Sequence, residues 1–344
     1  MNTMTVRLTL WKKILITLIT LVIPSVCLAV NTLSQITYEP GNLPKKWLTG
    51  GPECATFTDD FQVHKYNNNF YILRESGCIH TEKPFIYLLF GNDKAILFDT
   101  GAGKDTDATT GRTPNVVGTV NGVIHQWLKE NGRSSIPLIV AHLHSHFDHI
   151  WGDYQFTQRP DTTFVKPGSV GTLIAFFGIK NWPEETGKYD LGGRVLDIIP
   201  APGHDATSIA VYDRNTAILL TGDVLYPGRL YINESNPDIM EASIQRLVDF
   251  TRTRPVAQIL GTHIERRAPY YDYPRGTHFA PEEFPLQMGR AALLELLEAT
   301  KLRTREGSDN TITQKAYRDF TLCGAYPTCK PVNAPDSTAL INDL

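Results

Sequence analysis

Residues 141–152 read A-H-L-H-S-H-F-D-H-I-W-G, and five of them (His142, His144, His146, Asp148 and His149) carry metal-type donor atoms. The 344-residue chain has ten histidines, so this one stretch concentrates them far beyond its share. Imidazoles and a carboxylate this close together suit a borderline divalent cation. The wholly apolar run Pro137–Leu143 reads as a short strand that delivers the cluster at its C-terminal end. Alternate side chains of extended backbone share a face, so His144 and His146 can address one ion. Asp148 and His149 follow in a turn and can address a second position. His142 shares the alternating face but does not fit the spacing that ends in Asp148-His149. It reads as a packing residue or an outer support.

Further ligands have to come from elsewhere, and three residues qualify. His204 lies in A-P-G-H-D after the apolar V-L-D-I-I-P, Asp223 in L-L-T-G-D, and His263 in I-L-G-T-H. Each follows an apolar run, where a sheet would present it at one rim.

The surrounding pattern is that of alternating strands and helices. Strands are expected at 61–66, 70–74, 85–90 and 94–98, then at 163–166, 194–199, 208–212, 217–221 and 256–261. Helical spacing covers Val116–Lys129, stopped by Asn131-Gly132, and also Val170–Phe177, Ile239–Thr251 and Pro281–Thr300. Residues 87–101 and 209–223 share a pattern of apolar strand, polar turn and x-A-I-L strand ending in Thr, Gly and Asp, at an offset of 122 residues. Any two hairpins look somewhat alike; the sharper reading is a duplicated, β-rich half.

With 42% hydrophobic and 20% charged residues, the chain can bury a sizeable core. Residues 1–29 read as a signal peptide: Arg7, Lys12 and Lys13 precede the apolar run Ile14–Ile23, and Cys27-Leu28-Ala29 supplies a cleavage site. A retained anchor is the competing reading, although Pro24 leaves the run short of the ~20 apolar residues a span needs. Val26 argues against a lipoprotein at Cys27. Cleavage would take the formal charge from −3 to −6, and no basic block suggests a nucleic-acid partner. The expected location is therefore periplasmic or secreted. The mature part keeps Cys54, Cys78, Cys323 and Cys329, an even number for which Cys54–Cys78 and Cys323–Cys329 give the shortest loops. The organisation expected is a leader over 1–29, an N-terminal arm over 30–58, one domain over 59–304 and a polar tail over 305–344.

On F-D-T-G, H-L-H-S-H-F-D-H, P-G-H, T-G-D and G-T-H, spread over roughly 84–265, the chain resembles the metallo-β-lactamase-fold hydrolase superfamily. The resemblance implies an α/β fold, a four-layer αββα sandwich of two similar halves. It also implies two divalent metal ions, with His144, His146 and His204 on the first, Asp148, His149 and His263 on the second, and Asp223 bridging. Asp99 would orient a ligand from outside. A metal-bridging hydroxide would attack an ester, lactone, thioester or related acyl substrate, and Asp148 would steer the water or take its proton as the catalytic carboxylate. Five histidines and two carboxylates suit zinc, with iron or manganese also compatible.

Departures within the superfamily narrow the branch. Zinc β-lactamases tend to lack the bridging Asp, whereas T-G-D is kept in the glyoxalase II, lactonase and phosphodiesterase branches. Flavodiiron relatives carry Glu where His146 stands. Asp205 follows His204 where Thr is common. Hydrolysis of a β-lactam or a phosphodiester is the alternative within the hydrolase class. A mononuclear-iron oxidoreductase like the persulfide dioxygenases and a non-catalytic metal-binding protein are the alternatives outside it. Tyr226, Arg229 and Tyr231 follow Asp223 closely enough to line a pocket or to form only a packed turn. The segment 266–278 reads either as a substrate lip or as a plain surface loop. His64, His80 and His125 read as surface or packing residues.

Overall fold

The central strands of the two six-stranded sheets are apolar on both faces, so each of these sheets has to be covered twice. The computed structural model describes residues 40–104, 108–232, 236–303, 305–306, 311–324 and 329–330. The expected leader with Cys27, residues 30–39 of the arm and the end of the tail lie outside the described residues. In the first half, β1 (Phe61–Asn67), β2 (Phe70–Glu75), β3 (Phe85–Phe90) and β4 (Ala95–Phe98) form an antiparallel meander. Helix α1 (Val116–Glu130) then crosses over, and β5 (Leu138–Ala141) returns parallel to β4. The single turn α2 (Phe147–Ile150) and a 3₁₀ segment, Trp151–Gln155, lead to β6 (Thr162–Phe164), parallel to β5. Strand order in this sheet is β1-β2-β3-β4-β5-β6.

Helix α3 (Val170–Phe177) links to a second half of the same plan. There β7 (Gly187–Asp190), β8 (Val195–Pro200), β9 (Ile209–Asp213) and β10 (Ile218–Gly222) form the meander. After the short β11 (Arg229–Tyr231), α4 (Pro237–Thr251) crosses over and β12 (Gln258–Gly261) returns parallel to β10. The 122-residue sequence offset thus corresponds to the hairpins β3–β4 and β9–β10. A hairpin of β13 (Arg266–Ala268) and β14 (Tyr271–Asp272) follows, then β15 (Gln287–Met288), which pairs with β12 and completes the order β15-β12-β10-β9-β8-β7. Helix α5 (Arg290–Lys301) comes next, with the small pair β16 (Arg305–Glu306) and β17 (Thr311–Ile312). Finally β18 (Lys315–Ala316) and β19 (Thr321–Cys323) join β11 in a three-stranded sheet.

Alternation along the strands sorts their side chains into three cores, and these define the four-layer αββα sandwich. Phe70, Ile72, Tyr87 and Phe98 meet Ile198, Val211, Ile218 and Leu260 between the sheets. Their neighbours Tyr71, Leu73, Leu88 and Leu97 turn the other way, onto Val116, Val120, Ile124 and Trp127 of α1. On the far side, Ile199, Tyr212, Leu219 and Ile259 pack against Ile244 and Leu247 of α4 and Leu293 and Leu296 of α5. Helix α1 starts where the Asn115 side chain accepts the Gly118 N–H at 3.0 Å. Its Trp127 stacks on Phe90 at 4.5 Å and donates to Asn69 Oδ1 at 3.0 Å. Arg194, fully buried, pairs with Asp213 at 2.6 Å and donates to the Asn69 and Phe90 carbonyls of the other sheet. No described helix is long and apolar enough to cross a membrane.

Two expectations need correction. The helix expected over Pro281–Thr300 begins only at Arg290. Pro281 and Pro285 cannot donate to a helical ladder, and Gln287–Met288 is used instead to cover the outer edge of β12. The tail expected to be polar contributes Phe320 and Leu322 to the core beneath the second sheet, and Cys323 is buried as well. Disulfides join Cys54 to Cys78 and Cys323 to Cys329, the pairing with the shortest loops.

Candidate metal centre

The parallel pairs decide where the ligand-type residues emerge. Phe98 is in register with Ala141, and Gly222 with Gly261, so Asp99, His142, Asp223 and Thr262 leave their strands at one rim. His144 is buried just past β5, and His146, still extended at φ −69° and ψ 156°, caps α2. That single turn swings Asp148 and His149 away from the pair before them. His204 arrives from the Pro202-Gly203 turn after β8. Gly203 has φ +145°, and a Cβ there would stand 2.6 Å from the Met240 backbone, so only glycine lets the turn close on α4.

Seven of the expected residues come together in two groups. Donor atoms of His144, His146 and His204 lie within 4.8 Å of one another, as do those of Asp148, His149, Asp223 and His263. Asp223 faces both: Oδ2 is 3.5 Å from His204 Nε2 and 3.7 Å from His144 Nε2, whereas Oδ1 is 3.3 Å from His263 Nε2. Its Oδ1 also accepts from the Thr262 hydroxyl. Asp148 Oδ2 is 3.3 Å from His149 Nε2 and 3.2 Å from His263 Nε2.

Outer partners fix the tautomers. His149 Nδ1 lies 2.9 Å from Asp99 Oδ2, His263 Nδ1 2.9 Å from the Glu82 carbonyl, and His204 Nδ1 3.3 Å from the Tyr231 carbonyl. Each of these nitrogens faces an acceptor and must carry the proton, which leaves each Nε2 with a bare lone pair. Yet His149 Nε2 and His263 Nε2 face each other at 3.4 Å, and His204 Nε2 faces His146 Nδ1 at 2.9 Å. Lone pairs pointed into a shared space call for a cation or a proton between them. Both nitrogens of buried His144 lack a hydrogen-bond partner altogether. The electrostatics agree. Burial alone would depress the His149 and His263 imidazoles, but Asp148 and Asp223 outweigh it and raise both well above the usual range. Burial opposes the charge on Asp223 too, but His263, His149 and His144 hold its carboxyl well below the usual range. The donor set therefore fits a pair of cations.

Asp99, which the F-D-T-G match placed outside the ligands, also accepts the Leu143 N–H at 2.8 Å, tying the ends of β4 and β5 together. His142 is outside both groups: its Nε2 faces Asp153 Oδ1 at 2.8 Å, an oxygen that also accepts from Thr100 at 2.8 Å. His64, at the surface, bonds the Asn42 carbonyl, and buried His80 accepts from the Glu82 N–H. The Tyr226 ring lies edge-on to His263 at 5.3 Å, and buried Arg229 pairs with Glu265 and donates to the Tyr273 carbonyl at 2.8 Å. Arg229, Glu82 and Lys83 line a small cleft together with residues 273–277, part of the segment read as a lip or a surface loop. Sequence reading missed the carbonyls of Glu82 and Tyr231 and the Thr262 hydroxyl. A backbone acceptor leaves no signal, since every residue carries one; Thr262, between Gly261 and His263, was within reach.

The profile of the metallo-beta-lactamase superfamily matches residues 82–263. The human acyl-coenzyme A thioesterase MBLAC2 is 24% identical over 207 residues, covering 52% of this chain and 72% of the relative. A hydroxyacylglutathione hydrolase of Methylococcus capsulatus is 27% identical over 173 residues, covering 49% of this chain and 60% of that protein. Among solved structures, a metallo-beta-lactamase from Pontibacter korlensis covers 70% of this chain and 99% of its own at 18% identity, with a TM-score of 0.44.

Proposed function

This chain belongs to the metallo-beta-lactamase superfamily, and from that premise we propose that it is an exported, dinuclear metal-dependent hydrolase of an acyl compound, an ester, lactone or thioester. One observation supports the reading most: Asp223 turns one carboxylate oxygen toward each histidine group. In this reading His144, His146 and His204 hold the first ion, Asp148, His149 and His263 the second, and Asp223 both. Two divalent ions, zinc by the donor set, would supply water activation and polarisation of the substrate oxygen. The chain's own residues do the rest. Asp99, Glu82 and Tyr231 keep three imidazoles in the tautomer that presents Nε2. Asp148, with Oδ2 turned to His149 and His263, has Oδ1 left to orient the attacking water and take its proton. Both relatives described above carry names of hydrolases of acyl compounds, which supports an acyl substrate.

The test is a hydrolysis screen of the metal-loaded mature protein over lactones, thioesters, phosphodiesters and β-lactams, alongside metal analysis of protein from its native compartment. Turnover of an acyl substrate with about two zinc ions per chain is expected. One iron per chain with oxygen consumption overturns the reading in favour of an oxidoreductase. Export through residues 1–29 is checked by N-terminal sequencing of the same material, which should begin at Val30.

A further inference from the structure

His146 is the least restrained of the five histidines, with its side chain 47% exposed. The other half of the centre shows how such a ring can be held. Asp99 divides its carboxylate, Oδ1 on the Leu143 N–H at 2.8 Å and Oδ2 on His149 Nδ1 at 2.9 Å. Asp205 repeats the division. Its Oδ1 accepts from Thr207 N at 2.8 Å, Thr207 Oγ1 at 2.5 Å and Ser145 Oγ at 3.2 Å, while Oδ2 faces His146 Nε2 at 3.9 Å. Three donors on one oxygen fix the carboxylate. Ser145, which sits between His144 and His146 in the chain, ties the ligand stretch to the turn that carries His204.

We propose that Asp205 is a positioning residue for His146, and that it raises the affinity of the His144–His146–His204 group for its cation. The inference rests on the reading of those three histidines as ligands. A carboxylate beside Nε2 favours the proton there and leaves Nδ1 bare, and Nδ1 is the atom 2.9 Å from His204 Nε2. At 3.9 Å the contact is electrostatic, longer than a hydrogen bond, so the effect belongs at the low end of the ~10–100-fold that outer partners contribute. Threonine, common at this place in the family resembled, would offer a hydroxyl and no charge.

The experiment titrates the metal-free full chain with zinc against a competing chelator. Wild type should take two equivalents. Asp205→Asn keeps an acceptor for Thr207 but turns an amide toward His146, so one equivalent should weaken roughly 10-fold. The other should be unchanged, and so should the melting temperature of the metal-free protein. Asp205→Thr should do the same, and it carries the test if the Asn variant folds poorly. Asp99→Asn should weaken the other equivalent, and the double variant both. Unchanged zinc binding in both Asp205 variants overturns the inference. So does a double variant that keeps one equivalent at wild-type affinity when Asp99→Asn alone weakens one, since both residues would then act on the same ion. A wild-type chain that takes no zinc overturns the metal reading as well, which tells the two failures apart.

Discussion

In the first half β4 and β5 run parallel around α1, and in the second β10 and β12 run parallel around α4, yet the two halves supply the centre differently. The first sends His144, His146, Asp148 and His149 from one stretch after β5. The second sends His204, Asp223 and His263 from the ends of three strands, β8, β10 and β12. Local backbone geometry is enough to set the first four, whereas the other three meet only once the second sheet is assembled. Each group nevertheless draws on both halves, so a cation in either one joins the two sheets at their common rim.

Asp223→Ala tests that joint most severely, since Asp223 alone faces both groups. Hydrolysis should be lost and bound metal reduced, by more than the ~10–100-fold typical of an outer partner. Retained turnover with full metal occupancy, measured by elemental analysis, would remove Asp223 from the bridging role. Metal removal comes next. An ion held in either group would join the halves and stabilise the folded state by about 4 kcal/mol at a thousandfold excess over Kd. Chelation should therefore lower the thermal midpoint by on the order of 10 °C, and a midpoint that does not move would mean that the halves hold together without them.

The anchoring of the two crossover helices gives a third contrast. Both crossover helices spread their contact over several apolar residues, Val116, Val120, Ile124 and Trp127 on α1 and Met240, Ile244, Leu247 and Val248 on α4, but Trp127 also stacks on a strand ring, Phe90. Trp127→Ala should cost about 3–5 kcal/mol in denaturant unfolding, and Leu247→Ala about 2–5. A loss at Trp127 below about 3 kcal/mol would mean that the ring stack carries no special weight. The smallest effect expected is that of His142→Ala. Metal content should stay unchanged, with a stability cost of about 1 kcal/mol for the lost Asp153 contact. Loss of a metal equivalent would show that the ligand register had been set one histidine too late.

The same contrast explains what was legible in the sequence. The donors after β5 stand out because their spacing is local, and the apolar runs before His204, Asp223 and His263 mark strand ends. Helices α1, α3 and α4 carry clear helical spacing and appear within about two residues of their expected bounds. Short pieces were not legible. β7 reads G-K-Y-D, with no apolar alternation, and β15 is two residues long in a stretch that continues the helical pattern of α5. The burial of Phe320 and Leu322 was hidden because a polar average says nothing of two residues that pack under a sheet. Which carbonyl holds which imidazole is a matter of tertiary structure alone.

The Cys54–Cys78 bond has a mechanical consequence. Its 24-residue span encloses β1 and β2, the pair at the outer edge of the first sheet. Closing such a loop restricts the unfolded chain by about 3 kcal/mol. More locally, it pins both ends of a hairpin that would otherwise be the first part of the sheet to peel away. Thr109 and Thr110 bond the Gly77 and Cys78 carbonyls beside the bond, so the segment preceding α1 is held at the same point. Reduction would free this margin to fray.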